Sequence, residues 1–492
     1  MYSVRDYGAT GDGSDQTDEL QTAIDACADG KGGTVRVPAG EYRTGTLRLE
    51  SGIRFHLESG ATLRGSDDPA DYVTHDSPHR SLLLAVDATD VSVTGRGTIH
   101  ASGTEFVHLD RAHAPDAATD TPPSPDGPVA PRANRPERAL LFYRCSNVLV
   151  RGVTIREAPH WTLHLLCCDE VDVTGIDVRN DARIPNSDGI NLDMCRNAHI
   201  SDCTVETGDD AVCVKTSGGY DESRSCERVT VTNCTLSSRS AGIKLGSETT
   251  SDISDCLFEN CVVYGSNRGL GIQHRDAGDI ERILFSNVTV ETRHHAGHWW
   301  GVGEPVSITS LPRTADTSLG QVRDVRLSGL SLDGEGSVVV YAEPNAPIRG
   351  LRADGVSLRV RTGTHSAGRN ILDLRPTDAV PATVERNLPA VLLRGVDDAV
   401  VSDFDVRWEE TMPFHTHGVE CVGFASLTLD GVRARGADGA ALALEDGTNA
   451  IVRHGTARPG TGTFLSLMDV RDCTVRENRT SEAARSVVER DA

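Results

Sequence analysis

The sequence predicts an all-β fold, a right-handed parallel β-helix with one amphipathic capping helix at its start and long loops forming a cleft. Three observations predict it. From Val148 onward the pattern apolar-x-x-apolar-x-apolar recurs as Val150/Val153/Ile155, Val173/Ile176/Val178, Ile200/Cys203/Val205, Val231/Cys234/Leu236, Phe258/Cys261/Val263 and Phe285/Val288/Val290. It continues to Val470/Cys473/Val475. Successive copies begin 23, 27, 31, 27 and 27 residues apart, then 42, 26, 48, 28 and 41. That is the period of a solenoid whose unit buries its apolar face only by stacking on its neighbours. Each unit holds short β-rich strings and no second helix, which disfavours leucine-rich, ankyrin and tetratricopeptide arrays and favours stacked β-coils.

In chain order, a first strand is expected at Tyr2–Val4. A helix follows over Asp15–Ala28, where Leu20, Ala23, Ile24 and Cys27 recur at helical spacing behind a Ser14/Asp15 cap signal. Strands with period-2 alternation follow at Thr34–Val37, Thr46–Leu49, Ile53–Leu57 and Ala61–Arg64, punctuated by Gly, Pro and Ser. The scheme is one β-helix domain over 1–492: cap and first coils over 1–65, a Pro- and Asp-rich loop excursion over 112–136, main coils over 148–475 and a tail over 476–492. The long intervals mark loops leaving the stack, at Arg293–Trp300 and Gly363–Asn387. Ser481–Ala492, rich in Arg and Glu, reads as a short frayed helix.

Acidic residues number 72 against 49 basic ones, a formal charge of -23, and the basic set is three lysines (Lys31, Lys215, Lys244) with arginine for the rest. Few aromatics, few lysines and an acid excess fit a halophilic protein in a salt-rich interior, where screening removes the self-repulsion. A nucleic-acid partner is disfavoured for want of a basic face. No stretch reaches membrane-spanning length and no signal peptide is visible, so a cytoplasmic location and no membrane partner are expected. The thirteen cysteines include no CxxC pair. Cys203, Cys234, Cys261 and Cys473 occupy one apolar slot of the repeat, which makes them small buried hydrophobes. Oligomeric state is left open.

Between Asn186 and Gln273 one phrase is written four times: Asp188-Gly-Ile-Asn-Leu-Asp193, Asp210-Ala-Val-Cys-Val-Lys215, Ala241-Gly-Ile-Lys-Leu-Gly246 and Arg268-Gly-Leu-Gly-Ile-Gln273. If each copy lies in one coil, strand spacing of about 4.8 Å stacks Asp188 near Asp210, with Asp209 beside it. Crowded carboxylates do not all ionise comfortably, so one keeps its proton and serves as acid while another acts as base. This is the equipment of glycosidic-bond hydrolysis.

The opening VRDYGATGDGSDQTDELQTAID…GGTVRVPAGEY, the phrase NSDGINLD, the GDD of Gly208–Asp210 and AGIKLGSE at Ala241–Glu248 resemble glycoside hydrolase family 28, the polygalacturonase and rhamnogalacturonase group. The resemblance implies a right-handed β-helix that hydrolyses with inversion. It implies Asp209 as general acid, Asp188 and Asp210 as the pair that positions and deprotonates water, and Asn186 as an orienting group. Two departures bear on substrate. Ser240-Ala241-Gly242 stands where polygalacturonases carry Gly-His-Gly, and Gly271-Ile272-Gln273 stands where they carry Arg-Ile-Lys.

Further candidates for substrate binding are Lys215 and Lys244, two of the three lysines, which would pair with the aspartates or hold an anionic sugar. Arg268, Gln273 and Arg275 are candidates for the substrate carboxylate, and Trp161, Trp299 and Trp300 for stacking on sugar rings. His160 and His164 are candidates for hydroxyl contacts. The His294, His295 and His298 cluster is read as part of a carbohydrate-binding loop, with no metal and no cofactor expected. The expected partner is an acidic oligosaccharide. The expected function is an exo-acting, inverting glycoside hydrolase on pectin-like or other acidic oligosaccharides; a polysaccharide lyase and a non-catalytic sugar-binding β-helix are the alternatives. Lys244→Met is expected to raise KM for anionic substrates more than for neutral ones, which steady-state kinetics on paired substrates checks.

Overall fold

The computed structural model describes residues 1–113, 126–297, 299–365, 370–374, 379–381 and 383–490. The fold is a right-handed parallel β-helix, and by its internal contacts the chain forms two compact units. One comprises Met1–Ser240 with Ala296–Trp299, the other Ala241–His295 with Trp300–Ala492.

In the first unit each coil contributes three strands, and each stacks in register on its counterpart one coil away. Ser81–Val86, Arg138–Tyr143, Trp161–Leu166, Ile190–Asp193 and Val212–Thr216 form one parallel ladder, in which Leu83, Leu140, Leu163, Ile190 and Val212 make a continuous apolar row. A second ladder aligns Val93, Val150, Val173, Ile200 and Val231, and a third aligns Ile99, Ile155, Val178, Val205 and Leu236. The recurrent sequence pattern is therefore a corner. Val150 belongs to the second strand, Val153 sits at the bend and Ile155 belongs to the third, and all three are fully buried. At the bend after the first strand, Arg144, Cys167 and Met194 adopt φ of 54, 55 and 55°, so these three successive coils turn through the same left-handed position.

The expected helix runs Thr17–Asp29 and buries Leu20, Ala23, Ile24 and Cys27, packing on the first strands of the unit. Asp15 accepts from the Thr17 amide at 2.9 Å and the Thr17 hydroxyl at 2.7 Å, so it starts the helix from one residue before the cap position. The first strand is shorter than expected, Tyr2–Ser3, because Val4–Tyr7 closes into a 3₁₀ turn. Of the excursion over 112–136, residues 114–125 lie outside the described residues. Its described flanks pair as antiparallel strands, Val107–Ala112 with Val129–Pro131.

The second unit repeats the ladder. Leu245, Ile272, Ile308, Val340, Leu393, Cys421, Leu444 and Leu467 stack from coil to coil. The Gly363–Asn387 segment is more than a loop, since Ile371–Asp373 and Thr383–Glu385 pair antiparallel. Leu372 and Leu374 pack with Leu311, Val339, Leu388 and Leu392. The tail corrects the expectation of a helix: Ala483–Arg490 is a strand, parallel to Thr461–Arg476. The edge of the last coil offers a row of unpaired backbone groups, and pairing with it outweighs a helix propensity confined to a few Arg and Glu residues. All thirteen cysteines are free thiols, and all but Cys473 are buried. Cys203 offers its thiol to the Val173 carbonyl of the preceding coil at 3.8 Å.

In the second unit Phe258 and Phe285 stack with ring centroids 5.0 Å apart, both fully buried. Phe285→Ala is expected to cost about 3–5 kcal/mol, read as a lowered urea midpoint.

Candidate active site

The strand phrase that contains Asp188 is pinned at its head by backbone. Gly189 donates to the Asp210 carbonyl at 2.9 Å, and Thr162 donates to the Asp188 carbonyl at 2.8 Å. The heads of three consecutive strands, at Trp161, Asp188 and Asp210, therefore stack. Glycine is required at 189, because a Cβ there would lie 2.4 Å from the Ala211 carbonyl oxygen. The turn before the next strand is fixed likewise: a Cβ at Gly208 would meet the Ile184 carbonyl at 2.4 Å, and the Gly208 amide donates to Ser187 Oγ at 3.0 Å. That close approach is the physical reason for a glycine ahead of Asp209-Asp210.

Asp188 and Asp210 are buried and Asp209 is half-exposed. The Asp209 carbonyl accepts from the Thr207 and Ser238 hydroxyls, the latter at 2.6 Å, and Asp209 Oδ1 accepts from the Asp210 amide at 3.0 Å. Ser240 Oγ donates to Asp210 Oδ1 at 2.8 Å, so the serine standing at the Gly-His-Gly position is bound directly to one of the acids. Asn186, held at φ 58°, turns its two amide atoms in different directions. Its Oδ1 accepts from Arg135 Nη2 at 2.9 Å, and its Nδ2 points to Asp209 Oδ2 at 3.5 Å. Arg135 is anchored on the Pro159 and Pro185 carbonyls at 3.0 and 2.9 Å. Burial lowers its guanidinium to about 10, against the pull of Asp188 and Asp209.

Lys215 Nζ lies 3.9 Å from Asp188 Oδ2, with both side chains 4% exposed. The ammonium also sits 4.0 Å from the Trp161 ring centroid, and the Arg138 guanidinium 3.9 Å from it. His164 meets the same ring edge-on at 4.8 Å. Trp161 is thus engaged by protein cations, which displaces its reading as an open sugar platform. Arg138, 4% exposed, donates from Nε to His164 Nδ1 at 2.7 Å and from Nη2 to His79 Nε2 at 3.1 Å. Because Arg138 only donates, His79 Nε2 is an acceptor, and the Tyr220 hydroxyl at 2.9 Å must donate to it as well. His164 Nε2 faces Asp193 Oδ2 at 3.4 Å in a fully buried pair. His160 and His164 are both held well below the usual imidazole range, first by burial and then by the surrounding cations.

Lys244, Arg268, Gln273, Arg275 and Trp300 belong to the second unit. Lys244 and Gln273 are buried in its ladder, Lys244 opposite Gly271 and Gln273 opposite Thr309. Arg268 is buried and already faces two carboxylates, Glu304 at 3.6 Å and Asp373 at 3.4 Å. Arg275 is half-buried. In the first unit Trp299 donates from Nε1 to the Asp126 carbonyl at 2.9 Å. His294 and His295 each place a ring nitrogen on a backbone carbonyl, of His365 at 3.2 Å and Gly265 at 2.6 Å, while His298 lies outside the described residues.

Sequence reasoning misses Arg135, Arg138, Asp193, His79, Tyr220 and Ser240. Arg138 carried a signal, since Arg138-Ala-Leu-Leu-Phe-Tyr143 is a further copy of the strand phrase, and Arg138 pairs in register with Trp161. Asp193 carried one too, as the last residue of its phrase, opposite Lys215. His79, Arg135 and Tyr220 lie between strands, where no period marks them.

A family model, Glycosyl hydrolases family 28, matches residues 27–297, more than half of the chain. A probable polygalacturonase from Vitis vinifera is 29% identical over 327 residues, covering 61% of this chain and 62% of that protein. An exo-poly-alpha-D-galacturonosidase from Dickeya chrysanthemi is 27% identical over 335 residues, covering 58% and 54%. The chain thus spans less than two thirds of the length of these relatives. Among solved structures, an exopolygalacturonase from Thermotoga maritima superposes with a TM-score of 0.60 at 23% identity, covering 73% of this chain and 86% of that one. A family 28 exopolygalacturonase from Yersinia enterocolitica gives 0.64 at 20%, covering 91% and 77%. At these identities the two structures establish the fold.

Burial and the Arg138 guanidinium lower His79 from the ordinary 6.5 to about 4. The unfolded chain takes up this proton near 6.5 and the folded one refuses it until about 4, so stability falls as pH drops through that window. His79→Gln should therefore flatten the decline of Tm between pH 7 and 5, measured by thermal unfolding at fixed ionic strength.

Proposed function

Because the chain belongs to glycosyl hydrolases family 28, we propose that it hydrolyses glycosidic bonds of pectin-like or other acidic oligosaccharides. The observation that carries this reading is the grouping of Asp188, Asp209 and Asp210 on stacked strand heads of one unit, with Asn186 directed at Asp209 and Ser240 bound to Asp210. Asp209, the most accessible of the three, gives its proton to the leaving glycosidic oxygen as the bond to the anomeric carbon breaks. Asp188 and Asp210 receive the proton of the water that attacks that carbon. The two buried carboxylates are acceptors held in place, which suits them to orient water.

The action we propose is exo and inverting. Similarity to the Dickeya chrysanthemi exo-poly-alpha-D-galacturonosidase supports the first, and the family resemblance supports the second. Carboxylates one coil apart sit closer than the usual inverting pair. Inversion then requires the water to be shared by Asp188 and Asp210 on the side away from Asp209. Lys215 and Lys244 remain proposed contacts for substrate or for the aspartates.

The test is a screen of acidic plant and algal oligosaccharides with NMR of the first-formed product. A product of opposite anomeric configuration is expected; a new ultraviolet-absorbing double bond would replace hydrolysis by β-elimination. Asp209→Asn should lower turnover at least about 10²-fold, and turnover within tenfold of the parent would remove Asp209 as the acid.

A further inference from the structure

We propose that Lys215, set in place by Trp161 and Arg138, is a positioning residue that holds Asp188 as the ionised carboxylate that takes the proton of the attacking water. This rests on the hydrolytic reading above and assigns a division of labour within it.

Lys215 Nζ and Asp188 Oδ2 are 3.9 Å apart, too far for a directed hydrogen bond and close enough for strong Coulombic coupling between two groups almost wholly removed from water. The ammonium is located by the indole, 4.0 Å from the ring centroid, as well as by the carboxylate. The indole is located in turn by Arg138 at 3.9 Å and by the edge-on His164 ring at 4.8 Å. Arg138 is itself fixed by His164, His79 and the Glu137 carbonyl, the last at 2.6 Å. Cation, ring and cation thus form a rigid train that ends at Asp188.

Residue choice supports a role beyond packing. Of 49 basic residues only three are lysines. An arginine at 215 would offer Asp188 a planar two-pronged hydrogen bond and occupy the oxygens that water must reach, whereas an ammonium acts as a point charge at a distance.

The charged and titratable groups around the pair are these. Asp188 faces Lys215, Arg135 and Arg138, with Asp210 stacked one coil on and Asp209 next to it. Lys215 also faces His160, His164 and Tyr220, and stands opposite Asp193 in the ladder. The two imidazoles are held neutral, and Tyr220 is pushed up to about 12 by burial and by Asp193. Near neutral pH these three add no charge, while Lys215 and the two arginines all bear on Asp188.

Lys215→Met should narrow the bell-shaped pH profile of kcat/KM from its acid side. The acid limb, which follows ionisation of the base, should move up by about 1–3 pH units, while the alkaline limb, governed by the half-exposed Asp209, moves less. Lys215→Arg should return the acid limb toward its original position while kcat stays low. Trp161→Leu, which frees the ammonium from its ring, should move the acid limb in the same direction by a smaller amount, and it decides the question if Lys215→Met does not fold. An acid limb unmoved in the folded variants overturns the proposal, and a raised KM for anionic substrates with that limb unmoved assigns Lys215 to substrate binding instead. Failure of the hydrolytic reading looks different: the parent protein would release no glycosidic product, and Asp209→Asn would change nothing.

Discussion

Register between coils is the constraint on which the rest of the structure depends. In a parallel ladder each side chain lies about 4.8 Å from its counterpart one coil away, so whatever one coil presents, the next must complement. In the core this produces unbroken apolar rows. At the surface it produces stacked ion pairs such as Asp87 with Arg144 at 2.6 Å and Asp255 with Arg282 at 2.6 Å. Exposed pairs of this kind contribute little individually, but they let an acidic chain stack like-charged coils without direct repulsion.

The same constraint becomes severe where polar groups are buried. Along the ladder from Arg138 to Lys215 the chain encloses two cations, two aspartates of the proposed site, the Asp193–His164 pair and several imidazoles. Removing such charges from water costs several kcal/mol each unless they are answered nearby. The answer given to Arg138 is unusual, since its hydrogen bonds go to neutral imidazoles and a carbonyl, with an indole face against the guanidinium. Asp188 in turn lies 3.9 Å from Lys215, and both Arg135 and Arg138 act on it. A buried cluster this expensive contributes specificity of geometry rather than stability, which is where a reacting site needs it.

How much of this was legible follows from the same physics. The coil stack was readable because burial at a corner imposes a fixed spacing, which is how Val150, Val153 and Ile155 announce a bend. The heads of the central phrase were readable for the same reason, and they place Asp188 and Asp210 in consecutive coils. What escaped was whatever periodicity does not constrain. Arg135, His79 and Tyr220 reach the site from connecting segments, and the pairing of the tail with the final coil depends on an edge that only the assembled ladder supplies. Trp161 was visible as a candidate, but its partners were not, because a sequence does not say whether a ring meets a sugar or a guanidinium.

Ser240 is bound directly to Asp210. Its place in the repeat is one where polygalacturonases carry Gly-His-Gly, and there a serine hydroxyl donates to Asp210 at 2.8 Å. A hydroxyl at that point is neutral across the working pH range, whereas an imidazole would add a positive charge on acidification. In this unit Arg135, Arg138 and Lys215 also act on Asp188. In the proposed reaction the division between an acid that keeps its proton and a base that loses it is then a matter of position. The Lys215 ammonium beside Asp188, and the amide of Asn186 directed at Asp209, supply that asymmetry.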